Sequence, residues 1–388
     1  MDVKNMIIPE KFNRLRQRIL KTLSPIIQSE KAIKTAGDCW FSEKLLNSEQ
    51  LPPYYVIHFL FVELLGFKKF GHFEKVSWTI PLEYEGVIFS IEHRKFGVGA
   101  FCEAHLPKEI LSHIQRRINT SAKMARPFLD WIASQAIDSS LVNVYNKGLL
   151  LFSRYTYLKK LFTESRALVK NEISLEEIKL HPYMLYWHNK YTSEWLASAS
   201  IDSFFSWTEH VFILIAILSG KITTAGAVSQ SAISSWPAKF KAIFELSDDI
   251  TQKHYERLMA LRSEIRNYQA HGAFGKDGEA FEFHSSAGAV PAVLPHKGVH
   301  KKFIIKNKFG MEEYDNDAAF ATLERFIDFM WSGDYAPAFI YIQESDLPLI
   351  LSLAEDGTYT AAMESERNMK ELVEKLSREF ERAANMDW

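Results

Sequence analysis

At about 150 residues per domain, the 388 residues of the chain suffice for two or three domains. Apolar residues at 47% and charged residues at 24% exclude wholesale disorder. Lys+Arg 46 against Asp+Glu 48 leave a net charge of −2, which excludes a protein that coats nucleic acid over its whole surface. Any polyanion site must then be local.

The first stretch, 9–36, reads as helix interrupted at Pro25. Leu15, Ile19, Leu23, Ile26 and Ile27 form its apolar stripe, and Lys11, Arg14, Arg16, Arg18 and Lys21 its basic face. That face is read mainly as solvated, with contact to RNA or an acidic partner as the other use. An apolar helix follows Pro52–Pro53, at about 54–66. The period then falls to two. Val76–Glu83, Gly86–Glu92 and Phe96–Cys102 are predicted as a small antiparallel meander, with Pro81 placing the first strand at an edge. Residues 107–137 and 140–168 return to helical spacing. The predicted organisation is an N-terminal α+β domain over 1–170 and a connector over 171–191.

From Thr192 or Ser193 as N-cap a long helix is predicted, with Leu196, Phe204, Val211, Ile215 and Leu218 on its stripe and Gly220 as its stop. A second helix starts at Trp236–Pro237. A third runs from about Asp248 to Ala270 on Leu258, Leu261, Ile265 and Tyr268. Residues 279–309 read as strands and loop. A fourth helix spans about 315–332. Helix, helix, helix, hairpin-like insertion, helix is the order of a four-helix bundle over 192–335 with an insertion before its last member. A helical extension, 336–388, opens with a strand-like piece at Phe339–Ile342 and closes with a helix at about 362–384. The fold class expected is therefore mostly α, with the small meander confined to the N-terminal domain.

Cys39 and Cys102 are too few for a disulfide scaffold or a cysteine-based zinc site, and fit a reducing cytoplasm. No signal peptide is expected, because the first residues mix charges and lack an apolar core. Val211–Leu218, the most apolar run, is shorter than the ~20 residues of a membrane helix, so no membrane partner is expected. His296 and His300 have metal-like spacing without a third ligand nearby and read as loop histidines. Neither metal nor cofactor is expected, and glycine-rich phosphate loops and nucleophile elbows are missing from the sequence.

The stretch with chemical content is Leu261-Arg262-Ser263-Glu264-Ile265-Arg266-Asn267-Tyr268-Gln269-Ala270-His271-Gly272, at the end of the third helix. Arg followed directly by Asn, three further residues, then His and Gly resembles the hallmark of the HEPN superfamily, Arg-x4-6-His at the end of a bundle helix. The resemblance covers about 192–332. It implies metal-independent RNA cleavage, in which the 2′-hydroxyl attacks the adjacent phosphate and leaves a 2′,3′-cyclic phosphate and a 5′-hydroxyl. His271 would be general base or acid, Arg266 would stabilise the phosphorane, and Asn267 would orient substrate or one of the pair.

An offset of five residues turns about 140° on an ideal helix. Convergence of Arg266 and His271 therefore needs the helix to end or bend between them, or a second subunit to complete the site. Gly272 supplies an ending, and the family's habit of pairing two motifs face to face implies a homodimer. A toxin or anti-phage effector under a regulatory protein partner is the setting that the resemblance suggests. The alternative class is a non-catalytic nucleotide- or RNA-binding or regulatory scaffold of the same superfamily.

Two further signals are local. Glu209–His210 sits inside the first bundle helix, where it could face the third helix and support Arg266, or face solvent. From Phe283 to Met311 the sequence has no acid but carries Lys297, Lys301, Lys302, Lys306 and Lys308 directly after the candidate histidine. This stretch is read as a backbone-holding surface for RNA, against a plain solvated hairpin.

Overall fold

The computed structural model describes residues 8–30, 51–102, 107–170, 182–271, 279–283, 292–295 and 316–386. For 72–73, 108, 168–170, 182–190, 264–271 and the strands at 279–283 and 292–295, it describes the backbone alone. The protein is mostly helical with a small antiparallel sheet near the N-terminus. It divides into two compact units, Met1–Leu141 with Glu374–Trp388, and Val142–Val373.

The first unit opens with a short 3-10 turn, Glu10–Phe12, and α1 (Asn13–Leu23). Helix 9–36 of the sequence reading is cut short here. Ser24 precedes Pro25 and is forced into an extended conformation (ψ 132°), so the chain leaves the helix. Ile27–Gln28 (β1) then joins the sheet. Residues 31–36 lie outside the described residues. α2 (Pro53–His58) passes directly into a π-helical stretch, Phe59–Leu64.

The sheet contains β2 (Phe70–Phe73), β3 (Val76–Tyr84), β4 (Val87–Arg94) and β5 (Gly97–Cys102), in the order β1-β3-β4-β5 with β2 also on β3. The meander is the predicted one to within one or two residues. Its β3–β4 turn is Glu85–Gly86, both at positive φ, as a two-residue hairpin requires. Pro81 does not mark an edge strand. β3 has neighbours on both sides, and Pro81 stands where the partner changes from β2, which ends opposite Thr79, to β1, which begins opposite Leu82. Its carbonyl accepts from the Ser29 N–H at 3.1 Å, and the missing donor falls in the gap between the two short partners. Trp78, Ile80, Leu82, Phe89, Ile91 and Ala100 line one face of the sheet. They share a core with Ile19 and Leu23 of α1, Leu60 and Phe61, Ile114 and Ile118 of α3 (Lys108–Met124), and Phe128 of α4 (Arg126–Asp138).

The second unit begins with β6 (Asn143–Val144) and α5 (Gly148–Lys170). α5 packs along α6 (Pro182–Leu218), so the contacts place it with the C-terminal helices, where the sequence reading had kept it in the N-terminal domain. Thr192 and Ser193 are not caps. α6 is already helical at Pro182, ten residues earlier, and Ser193 is buried inside it. Gly220 (φ +70°) ends α6 as expected.

The sequence reading missed α7 (Ala225–Ile233), whose Ala, Ser and Gly content gives no apolar stripe. Its N-cap is Thr224, whose hydroxyl accepts from the Ala227 N–H at 3.2 Å. α8 (Trp236–Ile243) and α9 (Asp249–His271) stand where the pattern put them. β7 (Glu279–Phe283) and β8 (Ala292–Pro295) pair antiparallel, and α10 (Asn316–Met330) follows.

Phe339–Ile342 is helix rather than strand. α11 (Ala336–Phe339), with Pro337 in its first turn, runs into a π-helical stretch, Ile340–Ser345. Ala338, Ile340, Tyr341 and Ile342 are all buried, so no alternation was available to read. β9 (Leu349–Ile350) pairs with β6, and α12 (Leu351–Glu355), α13 (Thr358–Ala362) and α14 (Glu366–Asn385) close the chain. On α14 the pairs Glu366–Lys370 and Glu374–Arg378 form as expected, and Arg367–Glu371 takes the place of Glu371–Lys375.

The core of this unit is aromatic. Phe212 of α6 lies 5.6 Å from Trp236 and 5.7 Å from Phe240, and Phe240 stacks at 5.7 Å on Phe326 of α10. This explains the composition of α6. The stretch Tyr191–Leu218 is long and apolar enough to cross a membrane (mean hydropathy 1.5), yet 72% of its apolar window is buried inside the unit. Apolar side chains all round suit a helix that packs against α5, α8, α9 and α10 together.

Candidate functional site

Thr208, Glu209 and His210 form a short polar stretch of α6 just before its most apolar run. Each points to a different neighbour, because successive residues are about 100° apart on a helix. Thr208 is fully buried. Its hydroxyl accepts from the Trp236 indole N–H at 2.9 Å and donates back to a carbonyl of its own helix, Phe204 or Phe205. That exchange satisfies the one polar atom of a buried tryptophan.

Glu209 faces α8 and α9. Its Oε2 accepts from Lys239 Nζ at 3.2 Å, and its Oε1 from Arg262 Nη2 at 3.1 Å. Lys239 is 5% exposed and donates also to the Ala232 carbonyl at 3.1 Å. A lysine buried this far needs a carboxylate partner.

His210 faces the start of α5. Its Nε2 accepts the Lys147 backbone N–H at 2.9 Å, so the neutral ring carries its proton on Nδ1. Burial, helped by the Lys147 charge, pushes the imidazole down to about 4. Beside it the buried Asn146 accepts from the Gly148 N–H at 2.9 Å and donates to the Tyr341 and Ile342 carbonyls.

α9 runs antiparallel to α6. Tyr255 meets Phe240 at 5.3 Å, next to Phe212, whereas Arg262 meets Glu209 and lies 5.8 Å from the Phe205 ring. Leu258 and Leu261 are buried on the packed side. Arg266, Asn267 and His271 continue the same helix, and His271 is the last of its described residues. Their side chains lie outside the described residues, as do Lys297, Lys301, Lys302, Lys306 and Lys308, and the loop histidines His296 and His300.

The pair Glu209–His210 therefore divides. Glu209 faces the third bundle helix, as one of the two readings had it, but it grips Arg262, one turn before Arg266. His210 turns away to cap α5. The sequence reading missed Arg262 and Lys239. Arg262 sat inside the motif stretch and four residues before Arg266, which was the available signal. Lys239 carried none, since a lysine in Lys239-Phe240-Lys241 reads as a wet position.

The first unit holds a second cluster of titratable groups. His58 Nε2 lies 2.8 Å from Lys69 Nζ, and His58 Nδ1 lies 3.8 Å from Glu63 Oε1. Burial, with the charges of Lys69 and His93 behind it, pushes His58 down to about 4. His93 stacks on Tyr54 at 4.3 Å and 5°, and burial lowers it too. Among the described residues no group of three or more His, Cys, Asp or Glu is placed to hold a metal ion.

Comparison with protein-family models, with curated proteins and with solved structures finds no match.

Proposed function

We propose that the chain is a HEPN-type endoribonuclease whose site is built on α9, with the helices of 192–335 as its bundle and β7–β8 as the insertion. One observation carries the reading. The sequence Arg266-Asn267-x3-His271 occupies the last turns of a long helix packed antiparallel on α6, and a charged cluster on the same helix stands one turn before it. A cationic imidazole is favoured at the C-terminal end of a helix, where the dipole is negative. Glycine directly after His271 in the sequence is the residue type that most often ends a helix.

RNA is cleaved in this reading by in-line attack of the 2′-hydroxyl on the adjacent phosphorus. His271 takes that proton or supplies one to the leaving 5′-oxygen. Arg266 matches the phosphorane charge with its planar fork, and Asn267 orients substrate. No step calls for a metal. The basic stretch Lys297–Lys306 holds the backbone, a homodimer brings two motifs together, and the protein works in the cytoplasm as a toxin or anti-phage effector held by a regulatory partner.

The test is expression of the whole chain with Arg266→Ala and His271→Ala beside it, followed by sequencing of RNA ends. Wild type should arrest growth and leave 2′,3′-cyclic phosphate ends, insensitive to EDTA in vitro, and each variant should abolish both at unchanged thermal stability. Cleavage by both variants at the wild-type rate sinks the assignment. Purified protein that binds RNA without cutting it favours the non-catalytic binding module.

A further inference from the structure

Charge balance around Glu209 is unequal. One carboxylate faces two cations, Lys239 and Arg262. Lys239 is 5% exposed and tied to both Glu209 and the Ala232 carbonyl, so it is the cation the carboxylate must neutralise. That leaves a surplus of one positive charge at Arg262, whose side chain is 25% exposed. A guanidinium has five N–H donors in a rigid fork. Its described hydrogen bond uses one of them, at Nη2, and the Phe205 ring supports it at 5.8 Å. Glu209 therefore fixes the direction of the fork without filling it. Position 266 follows one helical turn later on α9.

We propose that Arg262, aimed by Glu209 and backed by the buried Lys239, is a binding residue for a backbone phosphate of single-stranded RNA, next to the phosphate that is cut. This rests on the nuclease reading above. One turn of helix rises about 5.4 Å, which is of the order of the spacing between successive phosphates along a strand. Two arginines one turn apart can thus hold neighbouring phosphates. Arg262 contributes register, and Arg266 contributes charge where the reaction needs it.

The experiment uses the full chain carrying His271→Ala, so that RNA is not consumed. Fluorescence anisotropy follows a labelled single-stranded oligoribonucleotide between about 50 and 200 mM salt, where each phosphate contact on a single strand adds about 0.7 to the slope of log affinity on log salt. Arg262→Gln should weaken binding about ten-fold and flatten the slope by about 0.7. Arg262→Lys, which keeps the charge, should weaken binding and hold the slope.

If the parent binds the oligonucleotide and Arg262→Gln changes neither affinity nor slope, the phosphate site is refuted and the nuclease reading stands. The site is equally refuted if Arg262→Lys loses the slope along with Arg262→Gln. A parent that binds no RNA overturns the nuclease reading itself, and the phosphate site with it.

Discussion

His210 should make the second unit lose stability in mild acid. The ring accepts the Lys147 N–H through Nε2, and only the neutral imidazole offers that lone pair. Its folded pKa is about 4 against an ordinary 6.5. The folded state therefore binds fewer protons than the unfolded state between those two values. The contribution is fully present above pH 6.5 and is lost as the pH falls towards 4. At about 1.36 kcal/mol per pH unit, the gap corresponds to roughly 3 kcal/mol, a large share of the usual stability of about 5–15 kcal/mol.

Urea unfolding from pH 7.5 to 4.5, read by tryptophan fluorescence, measures this for the wild type and for His210→Gln, whose amide oxygen can accept the same N–H. Other groups, such as His254, lowered by burial and by Arg257 and Arg325, titrate in both proteins and cancel in the difference. The wild type should start the more stable, and the two curves should converge by up to about 1.4 kcal/mol per pH unit below 6.5. Parallel curves would refute the reasoning, as would an NMR titration of the His210 ring with its midpoint near 6.5.

Gly148→Ala should lower stability by about 1–3 kcal/mol. The added Cβ would stand 2.5 Å from Ile342 Cγ2 and 2.9 Å from the Ile342 carbonyl oxygen. A thermal shift measurement that finds no loss would show that the π-helical stretch gives way easily. Thr208→Val keeps the shape but leaves the Trp236 N–H without its acceptor, at a cost of about 1–3 kcal/mol in urea unfolding, and Thr208→Ser should recover most of it. Equal stability for the valine and serine variants would contradict that account.

Much of the fold was legible because the pattern was local. The meander announced itself by period-two alternation and a Glu85–Gly86 turn. α8, α9 and α10 announced themselves by stripes and by Pro237. Failures occurred where burial removed the contrast on which pattern reading depends. In the run Ala338–Ile342 every residue but Phe339 is buried, a pattern that fits strand or helix. α7 is too small-residued to show a stripe. Pro81 was read by the rule that proline sits at an edge, and the rule holds locally, since proline needs a position with no acceptor to meet. Such a position also arises in mid-sheet where two short strands share one side of a longer one.

The candidate site divides along the same line. The Arg266–His271 spacing is a statement about one helix and can be read from one helix. Which side chains surround it is a statement about α6 and α8 as well, and neighbours in sequence mislead there. Glu209 and His210 looked like one polar pair with one purpose. About 100° of helix separates them, so one ties α6 to α8 and α9 while the other closes the start of α5. A charged residue inside an apolar helix is thus best read by asking which cations the neighbouring helices can present. α9 offers Arg262 at the level of Glu209, and α8 offers a lysine that is almost wholly buried. With two cations on one carboxylate, the excess must be met by solvent or by an anion from outside, and the excess lies on the helix that carries the motif.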